Sequence, residues 1–194
     1  VLARFIFATN NQHKVEELKS VIGSDFHILS LNEAGIVREI PEPWSTLQEN
    51  AREKALTIYN LTKQACFSED SGLEVARLGG EPGAHSARYA GKEADAVANI
   101  KKLLLALKGE QDRRARFRTV IALCEEGEVT YFEGCCDGII LEKTTGNSGF
   151  GYDPIFVPDG GDGRSFGEMT LGEKNYFSHR RKAVDKLIAY LKGR

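Results

Sequence analysis

Leu2-Ala3-Arg4-Phe5-Ile6-Phe7-Ala8 runs directly into Thr9-Asn10-Asn11-Gln12-His13-Lys14-Val15. The first stretch is apolar and β-prone, so residues 2–8 predict a strand. The second opens a helix at Asn11 or Gln12, because Val15, Leu18, Val21 and Ile22 then fall on one helical face. Strand, tight polar loop and helix, in that order, is the opening unit of an α/β protein.

Working outward, residues 26–31 predict a second strand, and Pro41-Glu42-Pro43-Trp44 breaks any continuous helix. Thr46 to Thr62 carries Leu47, Ala51, Ala55, Ile58 and Tyr59 at helical spacing, with Thr46 and Glu49 as a capping pair. The active face of that helix is expected to carry Glu49, Asn50 and Lys54. Residues 65–68 predict a short buried strand that ends at Glu69-Asp70-Ser71-Gly72. Gly79-Gly80-Glu81-Pro82-Gly83 is a loop, and residues 94–107 a helix with Val97, Ile100, Leu104 and Leu107 inward. Residues 116–124 and 129–141 form a long hairpin turning at Glu126-Gly127-Glu128. A glycine-punctuated stretch, 146–167, leads to a last helix over 178–192, with Val184, Leu187, Ile188 and Leu191 as its apolar stripe. Strands alternate with helices first and pair as a hairpin later, which predicts the α/β class with a mixed sheet.

The chain has 194 residues, 41% hydrophobic and 28% charged, enough apolar material for one domain spanning 1–194. Lys plus Arg number 26 against 28 Asp plus Glu. That balance predicts no nucleic-acid or membrane partner, so a polyanionic ligand must be met by a local cluster. The opening segment is too short for a signal peptide, which predicts a cytoplasmic location. Cys66, Cys124, Cys135 and Cys136 lack the C-x-x-C spacing of a zinc site and read as reduced thiols in packed strands.

Four constellations carry chemistry. Thr9-Asn10-Asn11-Gln12-His13-Lys14 places free backbone N–H groups and the positive end of a helix dipole where a strand hands over to a helix, which suits an anion, and Lys14 adds a charge. Glu69-Asp70, with Glu42 as a third carboxylate, suits a hard oxygen-seeking cation such as Mg²⁺. In Ser148-Gly149-Phe150-Gly151-Tyr152-Asp153-Pro154 two glycines expose backbone amides and a ring face to a planar base. Lys174, with His179 and Arg180 in the first turn of the last helix, sets cations against the dipole, a placement that favours a ligand-directed purpose. A basic run, Arg113, Arg114, Arg116 and Arg118, leaves open a nucleotide-sensing or nucleic-acid-binding module as the alternative class, or equally a dimer surface or a strand's solvent face.

Taken in order, Thr9-x-Asn11-x-x-Lys14, Glu49-Asn50-Ala51-x-x-Lys54-Ala55, Asp70-Ser71-Gly72-Leu73, Gly80-x-Pro82-Gly83-x-x-Ser86-Ala87-Arg88-Tyr89, Gly149-Phe150-Gly151-Tyr152-Asp153-Pro154 and Ser178-His179-Arg180 resemble the inosine triphosphate pyrophosphatases, or Ham1 family. The resemblance implies an elongated mixed sheet with flanking helices in two lobes around a central cleft, usually as a homodimer. It implies Mg²⁺-dependent hydrolysis of ITP, dITP or XTP to the monophosphate and pyrophosphate, with other altered nucleotides as the near alternative. By the same resemblance Thr9, Asn10, Asn11, Gln12, His13 and Lys14 cradle the triphosphate with Lys54, and Asp70 is the general base. Glu42, Glu69 and Asp70 hold the metal. Ser71 and Arg88 touch the substrate, and Phe150, Gly151, Tyr152, Asp153, Lys174, His179 and Arg180 hold the base. Asn10 stands where many members carry glycine and Glu69 where many carry aspartate, and the resemblance assigns nothing to Trp44.

Overall fold

The computed structural model describes residues 3–24 and 26–193; Leu2 of the expected first strand lies outside them. Strand β1 (Arg4–Phe7) leads to α1 (Gln12–Ile22) and β2 (His27–Ser30), and α2 (Leu47–Thr62) follows an irregular stretch. Strand β3 (Cys66–Val75), the short β4 (Pro82–Gly83) and α3 (Ala96–Ala106) precede the hairpin of β5 (Arg114–Glu125) and β6 (Glu128–Ile140). The chain closes with β7 (Phe156–Pro158), α4 (Leu171–Phe177) and α5 (His179–Lys192).

The starts and stops have local causes. The Asn11 side chain accepts the Lys14 N–H at the start of α1, and Thr46 accepts the Glu49 N–H at the start of α2. The α2 helix ends at Lys63, which takes a left-handed conformation and returns its N–H to Tyr59 O. Asp95 accepts N–H groups from Val97 and Ala98, so α3 begins later than the apolar pattern suggests. That register buries Ile100, Leu103 and Leu107 and leaves Val97 75% exposed, correcting its expected inward place.

The sheet runs in the order β2-β1-β3-β5-β6-β7, with β4 on β3. Strand β1 is parallel to both β2 and β3, whereas β4 and β7 are antiparallel to their partners, so the sheet is mixed as expected. Two further expectations need correction. Strand β3 does not stop before the acidic pair: it continues through Glu69 and Asp70 to Val75, because its pairing in the sheet, with β1 at its start, β4 near its end and β5 as a neighbour, keeps turn-like residues extended. Helix α4 was not expected, although Thr170 and Glu173 form a reciprocal capping box that announces it.

The chain divides into two compact units, residues 1–70, 119–134 and 180–194 in one and 71–118 with 135–179 in the other. The core of the first packs Phe5, Phe7, Val15, Leu18, Phe67, Ile121, Val184 and Leu187, with Phe7 and Phe67 stacked at 4.9 Å. The core of the second gathers Leu73, Leu103, Leu107, Phe117, Ile155, Phe156 and Phe166. Among the described residues no helix is long and apolar enough to cross a membrane.

Candidate active site

In the first unit, the loop from β1 to α1 is shaped by its own polar groups. The Thr9 hydroxyl accepts the Asn11 N–H at 3.1 Å, and the Asn10 side chain accepts the Asn32 N–H at 2.9 Å. Gln12 pairs with Glu16 one turn on, while Asn11, Gln12 and His13 are exposed and Lys14 half-buried. The N-terminus of an eleven-residue helix therefore opens to solvent beside a lysine, a combination that attracts anions.

Behind it lies a buried cluster of charge. The Lys14 ammonium is 3.3 Å from Glu69 Oε1. Lys54, reaching from α2, donates to Glu42 Oε1 at 2.6 Å and to the Glu69 carbonyl at 2.8 Å, and lies 3.5 Å from Asp70 Oδ1. Arg180, at the start of α5, donates from Nε and Nη2 to both Glu69 oxygens, and its Nη1 meets Glu17 of α1. Three cations thus converge on the acids of one strand.

Burial sets the electrostatics. It pushes the Asp70 carboxyl above its ordinary 3.8, against the pull of Lys54 and Lys14. Burial also opposes the Lys54 charge, but Asp70 and Glu42 outweigh it and hold the ammonium above 10.5. For Arg180 burial pulls the guanidinium down to about 9, which still leaves it the charged partner of Glu69 and Glu17 at neutral pH.

The structure alters the expected metal trio. Among the described residues no three acids, histidines or cysteines are grouped to hold an ion. Glu69 has both oxygens turned to Arg180, with Lys14 beside one of them, so it anchors the cations rather than facing a metal. Asp70 differs: its Oδ2 is buried with no hydrogen-bond partner, a costly arrangement for a carboxylate oxygen unless a cation meets it. Asp70 with Glu42 fits Mg²⁺, which is commonly held by one or two carboxylates together with substrate phosphates.

The second unit carries its own polar cluster. Asp153 accepts the Phe150 N–H at 2.9 Å and the Lys174 ammonium at 2.7 Å, and both members of that ion pair are buried. The same ammonium lies 5.0 Å from the centre of the Phe150 ring. Gly149 has φ +75, and a side chain there would collide with the Asp153 carboxylate, so only glycine permits this loop. His179 stacks on Phe117 at 4.7 Å. The Tyr152 ring is buried and its hydroxyl donates to the Ser86 carbonyl at 2.7 Å, so its side chain is satisfied inside the unit. Ser86 in turn donates to Gly83 O and accepts the Leu73 N–H, tying the 3-10 turn Ser86–Arg88 to β3 and β4. Ser71 is half-buried on β3, and Arg88 is exposed at the end of that turn.

Arg180, expected to help hold the base, is bonded to Glu69 and Glu17 within the first unit. A cation opposing the α5 dipole is stabilised there by two buried carboxylates. The basic run of β5 is charge-balanced: Arg114 faces Asp112, Arg116 faces Asp137 and Arg118 faces Glu74, while Arg113 donates to the carbonyls of Leu107, Ile140 and Leu141.

The sequence profile of the Ham1 family matches residues 5–190. The chain belongs to the Ham1 family. A relative from Christiangramia forsetii, named dITP/XTP pyrophosphatase, is 48% identical over 97% of this chain and 98% of its own length. Another of that name, from Porphyromonas gingivalis, is 44% identical over 98% of each. Among solved structures, the Ham1 protein of Staphylococcus aureus superposes with a TM-score of 0.89 at 38% identity, covering 98% of both chains. A Ham1 protein from Coxiella burnetii gives 0.90 at 34% over the whole of both chains.

Within this Ham1 fold, the structure brings Lys14, Glu42, Lys54, Glu69 and Asp70 together in one unit, and Phe150, Asp153 and Lys174 in the other. Glu17 of the first cluster had no part in the expected site and gave only a faint signal, an acid on the buried side of α1. Asn50, expected on the same helix face as Lys54, is buried on α2.

Proposed function

We propose that this chain is a nucleoside-triphosphate pyrophosphatase acting on dITP, ITP and XTP, cutting between the first and second phosphates. The observation that carries the reading is the buried Asp70, with one unsatisfied oxygen, in a cluster that also holds Lys14 and Lys54. Relatives named dITP/XTP pyrophosphatase at 44–48% identity over nearly the full chain support it.

In this reading the α1 N-terminus, the Thr9 to Lys14 loop and Lys54 hold the triphosphate oxygens. Asp70 orients a water and takes its proton as the water oxygen bonds to the α-phosphorus and the bond to the bridging oxygen breaks. Pyrophosphate departs with its charge balanced by Lys14 and Lys54. Asp70 and Glu42 would hold Mg²⁺, which when bound would supply charge neutralisation to the phosphates. Glu69, between Arg180 and Lys14, keeps both cations in place. Most of the acceleration then comes from positioning and fixed charge.

In the second unit Phe150 stacks on the base, its backbone fixed by Asp153, with Lys174 and His179 as donors to a 6-oxo acceptor. Adenine presents a 6-amino donor there and leaves those donors unmatched, so ATP is disfavoured. Residues 1–194 act as one catalytic domain, as a homodimer and in the cytoplasm, where nucleotide pools need cleansing. The test is Mg²⁺-dependent hydrolysis of dITP, XTP, GTP and ATP with pyrophosphate resolved from orthophosphate. Orthophosphate as the product, or equal kcat/KM for dITP and ATP, overturns the assignment.

A further inference from the structure

The segment bearing Glu42 has no regular secondary structure from residue 36 to 44, yet Glu42 must meet Lys54 at 2.6 Å. Such a segment does not hold a carboxylate in place by itself. Asn50, buried on α2, accounts for the placement. Its Oδ1 accepts the Trp44 N–H at 3.0 Å, and its Nδ2 donates to the Trp44 carbonyl at 3.1 Å. Both backbone polar groups of the residue two past Glu42 are thus taken by one side chain. Asn50 is also near enough to Asp70 for its amide to favour the ionised carboxylate, against the stronger effect of burial. Holding an N–H and a carbonyl at once takes both an acceptor and a donor, which one amide supplies. Aspartate lacks the donors, and glutamine is longer by a methylene.

We propose that Asn50 is a positioning residue: by clamping the Trp44 backbone beside Asp70, it fixes the Glu42 carboxylate over Lys54 and sets how tightly the acid pair takes a divalent cation. The inference rests on the pyrophosphatase reading for its metal, while the clamp itself is geometry. It also gives Trp44, an exposed residue, a part through its backbone rather than its ring.

Trp44 is the single tryptophan of the chain, so its emission reports on this segment alone. The experiment compares full-length wild type with Asn50→Ala and Asn50→Ser. It follows Trp44 emission, Mg²⁺ binding by calorimetry without nucleotide, and KM and kcat for dITP over a Mg²⁺ series. The expected result is red-shifted Trp44 emission, Mg²⁺ binding weaker by about tenfold, as for other groups that orient a metal ligand, and a Mg²⁺ requirement that rises more than kcat falls. The serine variant should fall between wild type and alanine. Unchanged emission and unchanged Mg²⁺ affinity in a folded variant overturn the proposal. If neither variant folds, hydrogen exchange of the wild type decides, since a Trp44 amide exchanging as fast as an open chain overturns the clamp and a protected one supports it. Wild type that binds Mg²⁺ but leaves dITP intact, with the variant shifts still present, removes the pyrophosphatase reading and keeps the clamp.

Discussion

Arg180 and Glu69, 111 positions apart, are joined by two parallel hydrogen bonds, from Nε to Oε2 at 2.5 Å and from Nη2 to Oε1 at 2.9 Å. The pair is buried, and Arg180 adds a contact to Glu17. Removing the guanidinium leaves two carboxylates in a low-dielectric interior. Arg180→Met should therefore cost about 3–5 kcal/mol of stability, read from urea denaturation. Arg180→Lys should recover little of it, because one ammonium does not present the planar fork that matches Glu69 while also reaching Glu17.

Asp70→Asn separates chemistry from folding. Burial raises the folded carboxyl's pKa, so the native state holds that proton more tightly than the unfolded chain does. The group then favours folding below its ordinary value of 3.8, and that contribution is lost as the pH rises through the higher folded value. At neutral pH the ionised form is a burden. In EDTA the variant's Tm should be no lower than wild type, while turnover of dITP drops by roughly 10²-fold or more. A large fall in Tm, or near-normal turnover, contradicts this account.

Metal affinity should follow the same proton. In the metal-free protein a raised Asp70 pKa means that H⁺ competes with Mg²⁺ over a range above the usual aspartate titration. Calorimetric Mg²⁺ affinity is expected to increase with pH through that range, with proton release on binding, and to become flat in Asp70→Asn.

Cys66 gives a prediction remote from catalysis. Its thiol is fully buried on β3, donates to Ala55 O, and is pushed up by burial to about 12 from an ordinary 9.0. The unfolded thiol ionises first, so stability contributed by the protonated native thiol is present below pH 9.0 and falls as the pH rises toward 12. Native protein should be inert at this position to a thiol reagent near neutral pH and react there only on denaturation, as mass mapping of the label will report. The Cys66→Ala variant should lose that part of the alkaline decline.

Lys174→Met strands the buried Asp153 carboxylate and should cost several kcal/mol, on the order of 3–5. Lys174→Met with Asp153→Asn removes the uncompensated charge and should recover much of the lost Tm. If Lys174 serves the base as proposed, the double variant regains stability without regaining its preference for dITP over ATP in kcat/KM.

Local physics made most of the frame legible. The strand-loop-helix opening, the Asn11 and Thr46 caps and the hairpin turn at Glu126 and Gly127 depend on neighbours in sequence, and they stand where the residues imply. Strand β3 was misjudged because Glu69-Asp70-Ser71-Gly72 has turn-like composition, whereas pairing and remote cations decide its conformation. The Arg180–Glu17 contact spans 163 positions, beyond any periodicity. Tyr152 followed a motif that exposes its backbone, but its phenol found a carbonyl 66 positions away.

Gly72 touches no chemistry, yet Gly83 O occupies the space where its side chain would stand. No missense change at codon 72 is then silent: even alanine wedges β4 off β3 and carries away the turn that ends in Arg88. A saturation library selected for activity should return this position as empty of survivors as Asp70, and mutational intolerance alone would mistake a spacer for a catalyst.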